Sequence, residues 1–535
     1  MGAALIAQPC DKGIILSAPA ATPCSAGEAP WILAATILGS SLAFIDGSVV
    51  NLALPAIQAD LNATVVDAQW VVEAYALLLA ALLLVGGSLG DIYGRRRLFA
   101  VGVALFAASS IWCGLAPDIG QLIFARAVQG IGASLLVPGS LAIISASFRH
   151  EERGRAIGTW SGFTSITAAV GPVLGGFLIE HGSWRWVFFI NIPLALIVLA
   201  LTFWRVPESR DPHAPRNVDW AGACLVTAGL AGVTYALIES SKRGWNDSAV
   251  AGTFLLGVLS LAAFVVLEAH TKAPLLPLTL FRSRSFTGAN LLSLFLYSAL
   301  SVLLFFFPLN LIQVQGYSPT SAGASMLPFI LLIFLLSRWS GGLIDRYGAK
   351  LPLVIGPVVV AIAFLIFAIP STGGNYWTTY FPAVVTLGVG MAISVAPLST
   401  AVMNSVPRER AGTASGINNA VSRLAGVLSI AALGVVMLAS FNQQLSSRLA
   451  GIDLTPRVHQ EVESQRVKLA AIEIPHEIDN RLREEIRQSI DRSFVAGFRV
   501  VMFVASGLAI LSAATAKAMM ESDGTKTRSA SVIRF

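Results

Sequence analysis

The chain has 535 residues, 55% of them hydrophobic and only 12% charged, with a mean hydropathy of +0.72. A soluble globular protein carries about 25% charged residues, so this chain cannot cover a water-facing surface, and a soluble fold is excluded. Its net charge of +6 then bears on topology and is no nucleic-acid signal, because basic residues of membrane proteins gather in cytoplasmic loops. The four cysteines, Cys10, Cys24, Cys113 and Cys224, are scattered and give neither a disulfide framework nor a zinc spacing.

In chain order, residues 1–30 lack the basic start of a secretory signal. They read as a disordered cytoplasmic leader, one that a misplaced start codon would lengthen. A membrane span needs about 20 mostly apolar residues, and fourteen such segments follow. Six, at 31–54, 69–90, 98–116, 119–146, 157–179 and 185–205, form an N-terminal bundle over 31–205. Two more, at 219–239 and 249–268, lie within 206–285 and read as an inserted pair, opened by Asp219-Trp220 and turned at Gly244-Trp245. The last six, at 286–311, 322–344, 350–369, 379–402, 412–440 and 496–516, form a C-terminal bundle over 286–516. Residues 517–535 are the expected cytoplasmic tail. The polar stretch 441–495 is expected to be a long extracytoplasmic loop, with one or two amphipathic helices. It is read mainly as a solvated linker.

With both termini inside, the cytoplasmic turns hold Arg95, Arg96, Arg97, Arg149, Arg153, Arg155, Arg210, Arg216, Lys272, Arg282, Arg284, Arg346, Lys350, Arg408 and Arg410. The short outside turns hold little beyond Lys242 and Arg243, and this asymmetry fixes the orientation. One motif occurs twice in the same register: Gly87, Leu89, Asp91 and Gly94 recur as Gly341, Leu343, Asp345 and Gly348. A turn repeated half a chain apart implies two homologous helical bundles, the plan of many secondary transporters. The expected fold is therefore an all-α polytopic membrane protein, two six-helix bundles plus two inserted helices.

Five motifs carry a resemblance over about residues 31–516. The repeated turn resembles G-x-L-x-D-x-x-G-R-[KR]. Ile45-Asp46-Gly47-Ser48-Val49-Val50-Asn51-Leu52-Ala53-Leu54-Pro55 resembles L-D-x-T-V-V-N-V-A-L-P, with Ser48 where threonine is usual. Arg126-Ala127-Val128-Gln129-Gly130-Ile131-Gly132-Ala133 matches R-x-x-Q-G-x-G-A. Gly158, then Gly171-Pro172-Val173-Leu174-Gly175-Gly176, matches an antiporter motif of the fifth helix, with Thr167 in place of its second glycine. Trp184-Arg185-Trp186 through Asn191-Ile192-Pro193 is similar to an entry into helix six. Together they resemble the major facilitator superfamily and, within it, its fourteen-helix drug:proton antiporter branch.

An ionisable residue inside an apolar run is a functional candidate by default, and Asp46 is one. At about 1.5 Å per residue, Asp46 lies about 12 Å from the outer end of helix one, and Arg126 about 10 Å below that of helix four. The two charges share one depth. Burial opposes ionisation of a carboxylate and a nearby cation favours it, so Asp46 can load and release a proton, tuned by Arg126. The other reading is a structural ion pair. Gln129 shares Arg126's face and is a candidate for the same cavity. Glu73 stands where the family commonly has a small polar residue and is either a second proton or cation site or a solvated interfacial acid. Asn51 points elsewhere and reads as packing. Arg423, within a stretch including Arg410, Gly412, Asn418 and Asn419 that resembles helix thirteen, either meets the cavity or packs.

By resemblance, Asp91 and Arg95, with Gly87, Gly94, Gly341, Asp345, Arg346 and Gly348, form gating turns that latch the cytoplasmic side in the outward-open state. Arg95, Arg96 and Arg97 also read as topology anchors. Gly158, Gly171, Pro172, Gly175 and Gly176 imply either an exporter hinge or a packing kink. No phosphate-binding loop appears, so ATP-driven transport is disfavoured, and neither an enzyme nor a cofactor or metal is expected. The expected function is proton-coupled efflux of amphipathic compounds by alternating access. A proton symporter of one metabolite and a non-transporting sensor or scaffold are the alternatives. Expected partners are a small-molecule substrate, protons and the lipid bilayer, with a periplasmic adaptor and outer-membrane channel as partners the resemblance allows. No nucleic acid is expected, the chain is expected to be a monomer, and the expected location is the inner membrane.

Overall fold

The computed structural model describes residues 28–148, 150–211, 218–271, 274–407, 410–475 and 478–520. Most of the expected leader, the tail beyond 520, Cys10, Cys24, Arg149, Arg216, Lys272 and Arg408 lie outside them. The first half holds α1 (Ala29–Asp60), α2 (Val65–Tyr93), α3 (Arg95–Leu115), α4 (Ile119–Ser147), α5 (His150–His181) and α6 (Trp186–Arg205, interrupted at Ile190). The inserted pair is α7 (Trp220–Arg243) and α8 (Ser248–His270). The second half holds α9 (Arg284–Leu309), α10 (Pro319–Ala324 and Leu327–Gly341), α11 (Lys350–Phe367), α12 (Phe381–Asn404), α13 (Ala411–Leu449) and α14 (Asn480–Met519).

Thirteen of these helices are long and apolar enough to cross a membrane among the described residues. The fourteenth, α5, has 32 residues, about 48 Å at 1.5 Å each, and packs along α1. Polar turn residues set the helix starts. Asp118, Asp219, Asp247 and Asp479 each accept from an amide of the following first turn, and Thr64 with Asp67 closes a reciprocal cap on α2. Such caps satisfy amides that no helix can bond internally.

Successive helices alternate in direction, so the molecule has two ends. One carries the turns at Arg95–Arg97 and Arg346 and is called the basic end; the other carries the α13–α14 connection and is called the loop end. The polar stretch 441–495 is largely helical. Its first residues continue α13 to Leu449, and its last open α14 at Asn480. Between them lie a helix at Pro456–Ser464 and a 3₁₀ turn at Arg466–Ala471. This segment crosses both halves: Lys468 Nζ donates to Asn62 Oδ1 at 2.6 Å, and Arg487 Nη2 to Gln313 O at 2.7 Å.

The halves meet along α2 and α13 and along α5 and α10. α7 packs on both α2 and α13, while α8 rests on α7 and turns Leu255, Leu256, Val258, Leu259, Val265 and Val266 outward. An apolar face of that kind belongs against lipid acyl chains.

Candidate functional site

The described polar contacts between the halves concentrate at the loop end. Gln313 Nε2 donates to Gln58 Oε1 at 2.9 Å, and the Thr320 amide donates to Glu180 Oε2 at 3.2 Å. The α5 motif builds the same closure. A Cβ on Gly176 would lie 2.4 Å from Pro319 O, and one on Gly323 of α10 would lie 2.2 Å from Pro172 O. Only glycine permits backbones this close. On the neighbouring face, Gly171 and Gly175 receive Ser48 and Val49 of α1. The motif therefore clamps α1 and α10 onto α5, one turn from Asp46.

Asp46 is fully buried, with Arg126 and Gln129 beside it. Arg126 Nη1 donates to Asp46 Oδ2 at 2.5 Å, while Gln129 Nε2 and Asn191 Nδ2 donate to Oδ1 at 2.9 and 3.3 Å. Ser110 Oγ accepts from both amides, at 2.9 and 3.3 Å. Arg126 has further acceptors: Gln129 Oε1 at 2.6 Å, Val71 O at 3.0 Å from Nε, and the Tyr75 ring 4.3 Å from its guanidinium carbon. Five helices contribute, with Asp46 from α1, Tyr75 from α2, Ser110 from α3, Arg126 and Gln129 from α4, and Asn191 from α6. The matching depths read from the sequence bring the acid and the base together. Their setting is a fully buried cluster inside the first half.

Asn191 and Ser110 received no role from the sequence, although Asn191 stands in a quoted motif. An amide in the middle of an apolar helix is a signal, but its partner lies 145 residues away. In this cluster the acid and the base neutralise each other and are hydrogen-bonded by neutral groups, which is the arrangement a buried pair requires.

Glu73 differs. It is fully buried on α2, and neither carboxylate oxygen has a hydrogen-bond partner among the described residues. Arg423 on α13 is half-buried and donates through Nε to Asn419 Oδ1 at 3.3 Å, and no described carboxylate pairs with it. Asn418 is tied to Ser293 and Asn290 of α9.

At the basic end, Gly94 and Gly348 both take positive φ, +116° and +71°. This explains why glycine ends both copies of the repeat. Arg95 Nη2 pairs with Asp91 Oδ1 at 2.7 Å, and the backbone here binds Ser209 and Asp211 of the segment that leads from α6 toward the inserted pair. The α3 N-terminus is occupied by Glu208, which accepts from the Arg96 amide at 3.1 Å and pairs with Arg96 and Arg97 at 3.8 and 3.6 Å. A helix N-terminus favours an anion, and Glu208 fills that place here. Gly87 lies against Pro138 of α4. Arg346 is exposed and lies over the Tyr347 ring at 5.4 Å. The side chain of Asp345 lies outside what the structure describes. Gly158 and Gly341 have open space at their Cβ positions.

A family model described as Major Facilitator Superfamily matches residues 36–430. A Mycobacterium tuberculosis protein named multidrug resistance protein Stp is 34% identical over 485 residues, covering 89% of each chain. The tetracenomycin C resistance and export protein of Streptomyces glaucescens is 31% identical over 493 residues, covering 91% of each. Among solved structures, a bacterial homologue of the human lysosomal transporter Spinster superposes with a TM-score of 0.65 at 16% identity, covering 93% of this chain and 98% of that one.

Proposed function

This chain belongs to the Major Facilitator Superfamily, and we propose that it exports small organic toxicants by proton antiport, with Asp46 as the coupling acid. The observation that carries this reading is the sealed cluster around Asp46, one carboxylate facing one guanidinium through shared donors. Protonating Asp46 would strand the Arg126 charge in an apolar interior, at high cost. Gln129 Oε1, Val71 O and the Tyr75 ring already flank the guanidinium and hold it when Asp46 is neutral. A proton on Asp46 then loosens α1 from α4 and α6 without abandoning Arg126. The α5 glycine clamp transmits that loosening to the loop-end closure, because α1 and α10 share it.

The concentration of arginine at the basic end supports a cytoplasmic orientation for that end and for both termini, in the cell's inner membrane. Alternating access moves substrate from that side to the loop end. Resistance and export are the roles that relatives' names state, and they support amphipathic drugs as the substrate class. The test uses everted vesicles energised to an acid interior. Drug addition is expected to collapse the pH gradient with wild type and not with Asp46→Asn. Equal collapse with the mutant would overturn the role given to Asp46.

A further inference from the structure

Glu73 occupies the middle of the α2 seam with the second half. On the loop side of it, Val66 and Trp70 pack with Ala431 of α13 and with Leu237 and Ile238 of α7, and Gln69 Nε2 donates to Ile430 O at 3.1 Å. On the basic side, Leu77 and Ala81 pack with Val427 and Leu230. Residues three and four apart share a helical face, so Glu73 belongs to this one and lies between the two apolar clusters.

The charged and titratable groups on the elements packed against α2 are engaged elsewhere or offset. On α7, Glu239 holds Trp70 Nε1 at 3.2 Å and Arg243 at 3.4 Å, the Tyr235 ring packs against that of Trp70 at 6.1 Å, and Lys242 is exposed. On α13, Arg423 lies about a turn nearer the basic end and donates to Asn419, and Arg448 is near the opposite end. Arg126 of α4 is bound to Asp46 of α1, the Cys113 thiol of α3 donates to Gln129, and Lys468 of the connecting segment is bound to Asn62. Asp60 of α1 is paired with Arg185. On α2 itself, Asp67 closes the cap with Thr64, and the Tyr75 hydroxyl donates to Ala43 O at 3.4 Å.

A desolvated carboxylate with no partner is too costly to keep ionised, so the closed seam admits Glu73 only as the neutral acid. Opening the loop end parts α2 from α13 and lets water reach the carboxyl, which then ionises at neutral pH. We propose that Glu73 is a proton-operated latch: the loop end closes only when Glu73 has taken a proton from that side, and reopening returns the proton there. Asp46 couples transport, and Glu73 makes the closing step sensitive to acid outside. This rests on the alternating-access reading above and adds to it a second protonation site with a different task.

The sign follows from linkage. Closure takes up one proton, so the closed-to-open ratio falls up to about tenfold for each unit of rising pH while the open form is ionised. The experiment places spin labels at Pro117 and Thr372, exposed loop-end positions in opposite halves, in full-length protein in lipid nanodiscs with its native cysteines replaced. Distance distributions are recorded against pH. Wild type is expected to open as pH rises, Asp46→Asn to show the same rise from a more open baseline, and Glu73→Gln to lose the opening at high pH. A second measurement on the folded wild-type protein keeps the test independent of the variant's folding: one component of the infrared band of neutral carboxylic acids is expected to vanish as the loop end opens with rising pH, and that component is expected to be lacking in Glu73→Gln. An unchanged pH response in Glu73→Gln, or a wild type without one, would overturn the latch. Loss of drug-driven proton release in vesicles, with the Glu73-dependent response intact, would instead overturn the efflux reading and leave the latch standing.

Discussion

Asp46 and Glu73 are both fully buried carboxyl groups on adjacent helices of the first half, and they solve the same physical problem in opposite ways. Asp46 is surrounded by donors from three side chains, one of them a cation. Glu73 has none. The first site can hold a negative charge with water excluded; the second can be closed only when it is neutral. Burial alone therefore does not mark a proton carrier. What decides the role is the set of partners, and that set comes from helices far apart in the chain.

The contrast can be broken most forcefully from the Asp46 side. Arg126→Leu leaves the carboxylate buried without its cation and is expected to cost about 3–5 kcal/mol, read as a lower thermal unfolding temperature in detergent. Adding Asp46→Asn is expected to recover much of that loss, because the penalty belongs to the pair. Asn191→Ala removes one donor to an ionised acceptor and is expected to cost about 1.5–3 kcal/mol by the same assay, with weaker drug-driven proton release.

The Glu73 side is expected to respond with the opposite sign. Glu73→Leu replaces an unpartnered polar group by an apolar one of similar size, and a gain of about 1–3 kcal/mol is expected. A loss comparable to that of Arg126→Leu would mean that Glu73 is paired after all. The last expected effect concerns the clamp on the loop-end closure. Gly176→Val sets a branched side chain against the Pro319 carbonyl and is expected to slow export at least tenfold, equivalent to about 1.4 kcal/mol or more in the closing step. It should leave drug binding, measured by fluorescence quenching, nearly unchanged.

Much of the architecture was legible in the sequence because a bilayer imposes length and apolarity on every span. The shared depth of Asp46 and Arg126 followed from helix rise and alternating direction, and the glycines ending the repeat from its register. Other features were not legible, for identifiable reasons. That Asp46 lies in a sealed cluster depends on Asn191 and Ser110, which are contributed by other helices. Glu208 reaches the α3 N-terminus from beyond α6, a contact that no local pattern announces. The polar stretch 441–495 hid the continuations of α13 and α14, since hydropathy averages away a one-sided apolar stripe. Phe441, Leu445 and Leu449 share one buried cluster with Ile486, Ile490 and Phe494. Glu73 was visible as an acid, but only the packing of α7 and α13 shows that it has no partner among the described residues.

The most direct test of the division between the two acids is proton release from purified protein in weak buffer when a lipophilic drug is added. Wild type and Glu73→Gln are expected to release protons on binding, and Asp46→Asn to bind the drug and release none. Release from Asp46→Asn at the wild-type level, or its loss only in Glu73→Gln, would contradict the account and move the coupling site from the paired acid to the unpaired one.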